Sequence, residues 1–328
     1  MLPLLPFDPI FRSALWGGRR LTSMFPAAPD GPVSEVWVLS DQGDAISRVA
    51  DGPCHGQALR DVVRTHGAEL FGESASRHDQ FPLLLKFIDA QQSLSVQVHP
   101  DDRHARSLGL PRGKTEAWVV LDSEPGSQIY AGLRPGITRS DFEELLRGGR
   151  SSEGLHSFGP RIGDCVFLPA GTVHALGAGI VAFEVQQTSD TTFRLDDWGR
   201  VDAKTGKPRE LHVAEGLACT DFDAGPRRPT WPKLVTATPV RVEMLAESRY
   251  FQLRRYSGDR PFAIAPQDGC YALVGLDGKV EIARGGERYI LSPGRTILCP
   301  ASSDAVECRP EGEFVFLECT PMSHSDAS

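Results

Sequence analysis

Alternation constrains this chain more than any other feature. The segment SLSVQVHP (93–100) sets Leu94, Val96 and Val98 on one side and Ser95, Gln97 and His99 on the other. A period of two is the mark of a strand with one face in a core. The pattern recurs in IVAFEVQQT (180–188), where Val181, Phe183 and Val185 oppose Ala182, Glu184 and Gln186. KTEAWVVLD (114–122) groups Lys114, Glu116 and Trp118 on one face. FPLLLKFIDA (81–90) is apolar almost throughout, with Lys86 in its middle. Helical spacing is confined to three short stretches, 55–72, 138–149 and 210–219; in the second, Ser140 offers a cap and Gly148 a stop. The chain carries 33 Gly and 25 Pro in 328 residues, which suits many short strands joined by turns. These signals predict a mostly β protein with a few short helices.

The segment DFDAGPRRPTWPK (221–233) holds three prolines and no periodicity, and reads as a linker. Beyond it, YFQLRRYS, CYALVGLDGKVEIA, RYILSPGRTILCPA and EFVFLECTP predict a second β sandwich or barrel. The two halves share a weak repeat. GDCVFLPAGTVHA (163–175) matches GRTILCPASSDAV (294–306), and AWVVLD (117–122) matches YALVGLDG (271–278). Aligned this way, Ala305 stands where the first copy has His174, and Tyr271 where it has Glu116. The expected division is a catalytic domain over 1–220, a linker over 221–239 and a metal-free, non-catalytic domain over 240–328.

Charge narrows the function. Lys and Arg number 35 against 43 Asp and Glu, a net charge of −8. Such a chain has no bulk positive field for nucleic acid or anionic lipid, so any phosphate must be caught by a few local cations. No apolar run is long enough to span a membrane. The N-terminal segment lacks the basic start and apolar core of a signal peptide. The seven cysteines are odd in number and form no CxxC, as expected of reduced thiols in a cytoplasmic protein. The oligomeric state is not legible.

The polar residues that interrupt the strands carry the chemistry. Gln97 and His99 share a strand face, Glu116 lies on the next clear strand, and His174 follows a Pro-Ala-Gly-Thr turn. Two imidazoles, a carboxylate and an amide oxygen suit a zinc site with open positions. Arg194, flanked by Phe193 and Leu195, points away from their face; with those flanks packed into the sandwich, it is expected to face a pocket. An arginine there can meet a phosphate or a developing oxyanion. Lys114 sits close to Glu116, as ion-pair partner or substrate contact, and Lys86 in its apolar run needs a partner or a function.

The motifs QVHPDD (97–102), GKTEAW (113–118), PAGTVHALG (169–177) and EVQQTSDTTFRLDDWGR (184–200) closely resemble type I mannose-6-phosphate isomerases. FRSALWGGRRL (11–21) and KPRELHVAEGL (207–217) are similar to that family too. The resemblance covers most of 7–217 and is thinner beyond. It implies two cupin-type β-barrel or jelly-roll domains, one zinc per chain, and a phosphosugar substrate: mannose 6-phosphate and fructose 6-phosphate interconverted through an enediol. Carried over by motif, the ligands are Gln97, His99, Glu116 and His174. The active-site arginine falls on Arg194, its acidic partner on Asp190, and the substrate-contacting lysines on Lys86 and Lys114. Only one short helix is readable between Glu116 and His174, as in the short form of the family. Glu184 is the first choice for the proton-transfer base, with Asp190 and a metal-bound water as alternatives. Two rival readings are a non-catalytic sugar-phosphate-binding cupin and an isomerase of a different phosphosugar.

Overall fold

The computed structural model describes residues 2–201 and 206–322, and strands dominate it. They form two compact units. One comprises Phe11–Val36 and Lys86–Thr230, the other Met1–Ile10, Trp37–Leu85 and Trp231–Ser328. The units interleave along the chain, unlike the expected division at 220 and 240. Long-range pairing is the reason. Leu5 pairs with Leu298 and Pro6 with Ile297, so an N-terminal strand belongs to a C-terminal sheet. The proline-rich stretch is tied down as well: the Arg227 amide donates to the Ala131 carbonyl at 2.9 Å and the Thr230 amide to that of Cys165 at 2.7 Å.

The first sandwich, drawn mostly from Lys86–Thr230, has two antiparallel layers. A six-stranded sheet runs in the order Cys165–Leu168, Glu116–Ser123, Ile180–Gln187, Leu83–Ala90, Glu35–Leu39, Ile10–Arg12. A five-stranded sheet runs Leu155–Phe158, Ile129–Leu133, His174–Leu176, Val96–Val98, Phe193–Asp196. Trp118, Val120, Ile129, Leu168, Leu176 and Ile180 fill the core between them. Leu83–Ala90 and Ile180–Gln187 are buried at every position, which is why they read as nearly unbroken apolar runs.

The alternation of 93–100 is resolved by a third layer. Val96 and Val98 face away from the sandwich interior and pack with Phe142 and Leu217 of the helices Arg139–Arg147 and Val213–Cys219. Phe193 and Leu195 join that outer layer, not the inter-sheet core expected for them. The Arg139–Arg147 helix is capped by Thr138, not Ser140. The Thr138 hydroxyl accepts from the Asp141 amide and the Asp141 carboxylate accepts from the Thr138 amide, a reciprocal capping box.

The second sandwich pairs a seven-stranded sheet with a four-stranded one. Its core is Val242, Tyr256, Leu273, Ile282, Val306, Phe314 and Phe316. Both sandwiches are thus made of two open sheets of described strands, not a closed barrel. All seven cysteines are buried free thiols. Among the described residues no helix is long and apolar enough to cross a membrane.

Candidate metal centre

Four sequence segments are stitched together around one point inside the first sandwich. The Gly171 amide donates to the His99 carbonyl at 2.9 Å, and the Lys114 amide to that of Pro100 at 2.9 Å. The Thr115 amide donates to Gln187 Oε1 at 2.9 Å, and the Ala170 amide to Thr115 Oγ1 at 3.2 Å. Gly113 lies so close to this seam that a Cβ there would stand 2.5 Å from the Asp101 carbonyl carbon. Any side chain at 113 would push GKTE away from HPDD.

The register then lines up the polar groups. His174 pairs with Gln97 on one side, and Arg194 pairs with Gln97 on the other. The three stand in a row across three strands, at the spacing of cross-strand neighbours. From the facing sheet come Glu116, paired with Gln186, and Glu184, paired with Trp118.

His99, Glu116 and His174 are buried, with potential ligand atoms all within 4.8 Å of one another. The His99 Nδ1 lies 2.9 Å from the Thr191 carbonyl and the His174 Nδ1 lies 2.8 Å from the Thr172 carbonyl. A carbonyl can only accept, so both Nδ1 atoms carry a proton, and in the neutral ring that leaves Nε2 as the lone-pair atom. Those lone pairs face a carboxylate: His99 Nε2 to Glu116 Oε2 is 3.5 Å, and His174 Nε2 to Glu116 Oε1 is 3.2 Å. Burial, and then the charge of Lys114, push the His99 pKa down to about 3, so this imidazole is neutral. Burial raises the Glu116 pKa, but the Lys114 ammonium beside it outweighs burial and keeps the carboxyl well below its usual range. His99 Nε2 and both Glu116 oxygens lack a hydrogen-bond partner.

Lone pairs facing lone pairs in a buried space repel unless a cation lies between them. Donor atoms about 2.0–2.2 Å from a tetrahedral ion stand about 3.3–3.6 Å apart, close to the separations found here. The donor set therefore fits a divalent metal. Gln97 reaches the same point, its Nε2 standing 3.3 Å from His174 Nε2.

Charges around the cluster are paired closely. Lys114 Nζ is 2.9 Å from Glu116 and 3.6 Å from Glu184. Lys86 Nζ is 3.2 Å from Glu184 and 3.1 Å from Glu35. Two ammonium groups thus face three carboxylates. Trp118 Nε1 donates to the other Glu184 oxygen at 2.9 Å. Burial and then the nearby Glu116 raise the Glu184 pKa, against the pull of Lys86 and Lys114.

A cavity of about 330 Å³ opens beside the cluster. Gln97, Lys86, Lys114 and Glu184 line its floor, and Asp190, Arg194 and Arg209 its more exposed side. Every candidate from the sequence is thus either in the cluster or on the cavity wall. Arg194 is half-buried, donates from Nη1 to the Glu210 carbonyl at 2.8 Å, and leaves Nε without a partner. Asp190 is exposed on the rim.

Sequence reasoning missed Glu35, Asp197 and Arg209. Glu35 opens a strand of apolar residues far upstream and gives no local sign of its partner Lys86. Asp197 and Arg209 lie inside resemblance motifs without being singled out. The WGG of 16–18 also gains a role: Trp16 lines the cavity, and a Cβ on Gly18 would meet the buried Asp89 carboxylate at 2.5 Å.

Comparison with known proteins agrees with this geometry. Residues 4–117 match the family model of the phosphomannose isomerase type I catalytic domain. The mannose-6-phosphate isomerase ManA of Bacillus subtilis is 32% identical over 300 residues, covering 90% of this chain and 92% of that protein. The mannose-6-phosphate isomerase of Streptococcus mutans is 32% identical over 289 residues, covering 87% and 89%. The crystal structure of the mannose 6-phosphate isomerase from Bacillus subtilis superposes with a TM-score of 0.87 at 25% identity, covering 96% of this chain and 99% of that one. Likeness of this extent, in sequence and in its cupin-type fold, places the chain in the type I mannose-6-phosphate isomerase family, and the protein is an isomerase.

Proposed function

We propose that the protein interconverts mannose 6-phosphate and fructose 6-phosphate in the first sandwich, with one zinc ion held by Gln97, His99, Glu116 and His174. The observation that carries this reading is the convergence of His99, Glu116 and His174 on one buried point beside a cavity lined by Lys86, Lys114, Glu184 and Arg194. Gln97 would ligate through Oε1, which now lies 3.4 Å from the Ser95 hydroxyl, so its amide must turn over. The bound ion would supply Lewis acidity at a substrate oxygen.

The protein's own groups do the rest. Isomerisation moves a proton between C2 and C1 through an enediol, so it needs a base and positive charge near the carbonyl oxygen. Glu184 is the proposed base: it lines the cavity, is buried, and has its pKa raised, which strengthens a carboxylate as a base near neutrality. Arg194, one strand from the metal cluster, offsets charge on the enediolate. Lys114 and Lys86 hold the carboxylates in place and present ammonium protons to sugar oxygens at the cavity floor. Asp190 on the rim is proposed to orient the Arg194 side of the site.

A coupled assay of purified protein with mannose 6-phosphate, with and without chelator, tests the proposal. Turnover that chelator abolishes and zinc restores supports it. Absence of turnover in metal-loaded protein overturns it.

A further inference from the structure

We propose that Arg209, held in place by the buried carboxylate of Asp197, seats the substrate's phosphate at the rim of the cavity. The inference rests on the isomerase reading and assigns a residue that reading leaves unused.

Two of the four cations lining the cavity are committed to carboxylates on its floor. Lys86 and Lys114 are buried, and each lies within ion-pair distance of two carboxylates. A phosphate at the floor would face Glu35, Glu116 and Glu184 at close range, and its two charges would have to displace those pairs. The rim is different. Arg194 and Arg209 both line the cavity there, and Asp190 is the one carboxylate among the rim residues lining it.

Arg209 is also built as an anion seat. Its Nε donates to Asp197 Oδ2 at 2.8 Å and its Nη2 donates to Asp197 Oδ1, a bidentate fork on one carboxylate. Asp197 is only 5% exposed and also accepts from Arg200 Nη2 at 2.5 Å. Arg200 in turn spans to the Ser93 carbonyl. One buried carboxylate thus fixes two guanidinium planes against the sheet that carries Arg194. Arg209 Nη1 keeps its donors without a partner among the described residues. A guanidinium whose orientation is already fixed loses little freedom on gripping a phosphate, and its planar donors match phosphate oxygens. Burial and then the charge of neighbouring Arg209 lower the Arg194 pKa, the mutual strain of two cations that an anion between them would relieve.

Asp197 is a positioning residue here, and Arg209 a substrate-binding one. The test is steady-state kinetics with mannose 6-phosphate, together with inhibition by inorganic phosphate. Arg209→Ala should raise KM roughly ten- to hundredfold and change kcat by less than about threefold. It should weaken phosphate inhibition by a similar factor, and Arg209→Lys should recover part of both. Asp197→Asn should raise KM by about three- to tenfold, and the double variant should be no worse than Arg209→Ala alone, because both changes remove one device. Circular dichroism checks folding; if Arg209→Ala does not fold, Arg209→Lys and Asp197→Asn carry the same signs. An Arg209 variant with unaltered KM and unaltered phosphate inhibition overturns the proposal, as does a fall in kcat at constant KM. Wild-type protein without turnover would instead refute the isomerase reading. Calorimetry with inorganic phosphate on wild type and Arg209→Ala would then decide the seat alone, with equal binding overturning it.

Discussion

The two sandwiches build one framework and set different groups at its corresponding points. In the first, Glu116 pairs with Leu168 just before Pro169, and Glu184 lies opposite Trp118. In the second, Tyr271 pairs with Cys299 just before Pro300, and Glu318 lies opposite Leu273. Counting along the strands, Tyr271 takes the place of Glu116, and Glu318 takes the place of Glu184. Glu318 is saturated: Arg254 Nη1 donates at 3.1 Å, the Tyr256 hydroxyl at 3.0 Å and the Thr320 hydroxyl at 3.3 Å. Its counterpart Glu184 is held by Lys86 Nζ at 3.2 Å and by Trp118 Nε1 at 2.9 Å, whereas Glu116, standing where the second sandwich has Tyr271, pairs with Lys114 Nζ at 2.9 Å and also faces the Nε2 atoms of two imidazoles. A buried carboxylate with all its partners inside the protein is a structural member. One left facing other acceptors is a seat for something that arrives from outside. The difference between site and scaffold thus lies at the Glu116 position: a carboxylate facing two imidazoles in one sandwich, a tyrosine in the other.

The largest effect should come from the first sandwich. His174→Ala should remove the bound metal and cost several kcal/mol of transition-state stabilisation, about a thousandfold or more in kcat. Metal content and turnover measured on the same preparation check both parts, and a variant that loses one without the other would separate binding from chemistry. Arg194→Ala should lower kcat by about 10²–10³-fold and leave metal content intact, with Arg194→Lys recovering only part. Unchanged kcat and KM would make Arg194 an ordinary sheet residue.

The second sandwich should respond in stability, not in rate. Glu318→Gln leaves the Arg254 guanidinium without its anion and should cost about 1–3 kcal/mol in denaturant unfolding, with kcat within a factor of two or so. A large loss of turnover at full stability would break the contrast. The smallest effect belongs to Ala305→His, which restores a histidine at the position of His174. Ala305 is exposed, so stability should move by no more than about 0.5 kcal/mol, and no metal should be gained.

Much of this contrast was legible in the sequence. The face shared by Gln97 and His99 follows from strict alternation, and the sequence repeat sets Ala305 at the place of His174 and Tyr271 at that of Glu116, the latter matching the strand register. What escaped was information carried between distant segments. Glu35 meets Lys86 only because their strands pair, and Leu5 meets Leu298 across nearly the whole chain. The linear domain division failed to anticipate that pairing for the same reason. Phe193 and Leu195 were expected in the sandwich because alternation says which residues share a face, but not which layer that face meets. The Thr138 cap went to the residue whose hydroxyl reaches the Asp141 amide, a choice between two adjacent cap formers that spacing does not decide.

One divalent metal is proposed to sit among His99, Glu116, His174 and Gln97, with catalysis dependent on it. Elemental analysis of the purified enzyme, read together with turnover before and after chelation, tests it most directly. About one ion per chain is expected, lost together with activity on chelation and restored with it by zinc. Full turnover in protein with no bound metal would contradict it, as would an ion that stays bound when His99 and His174 are both replaced by alanine.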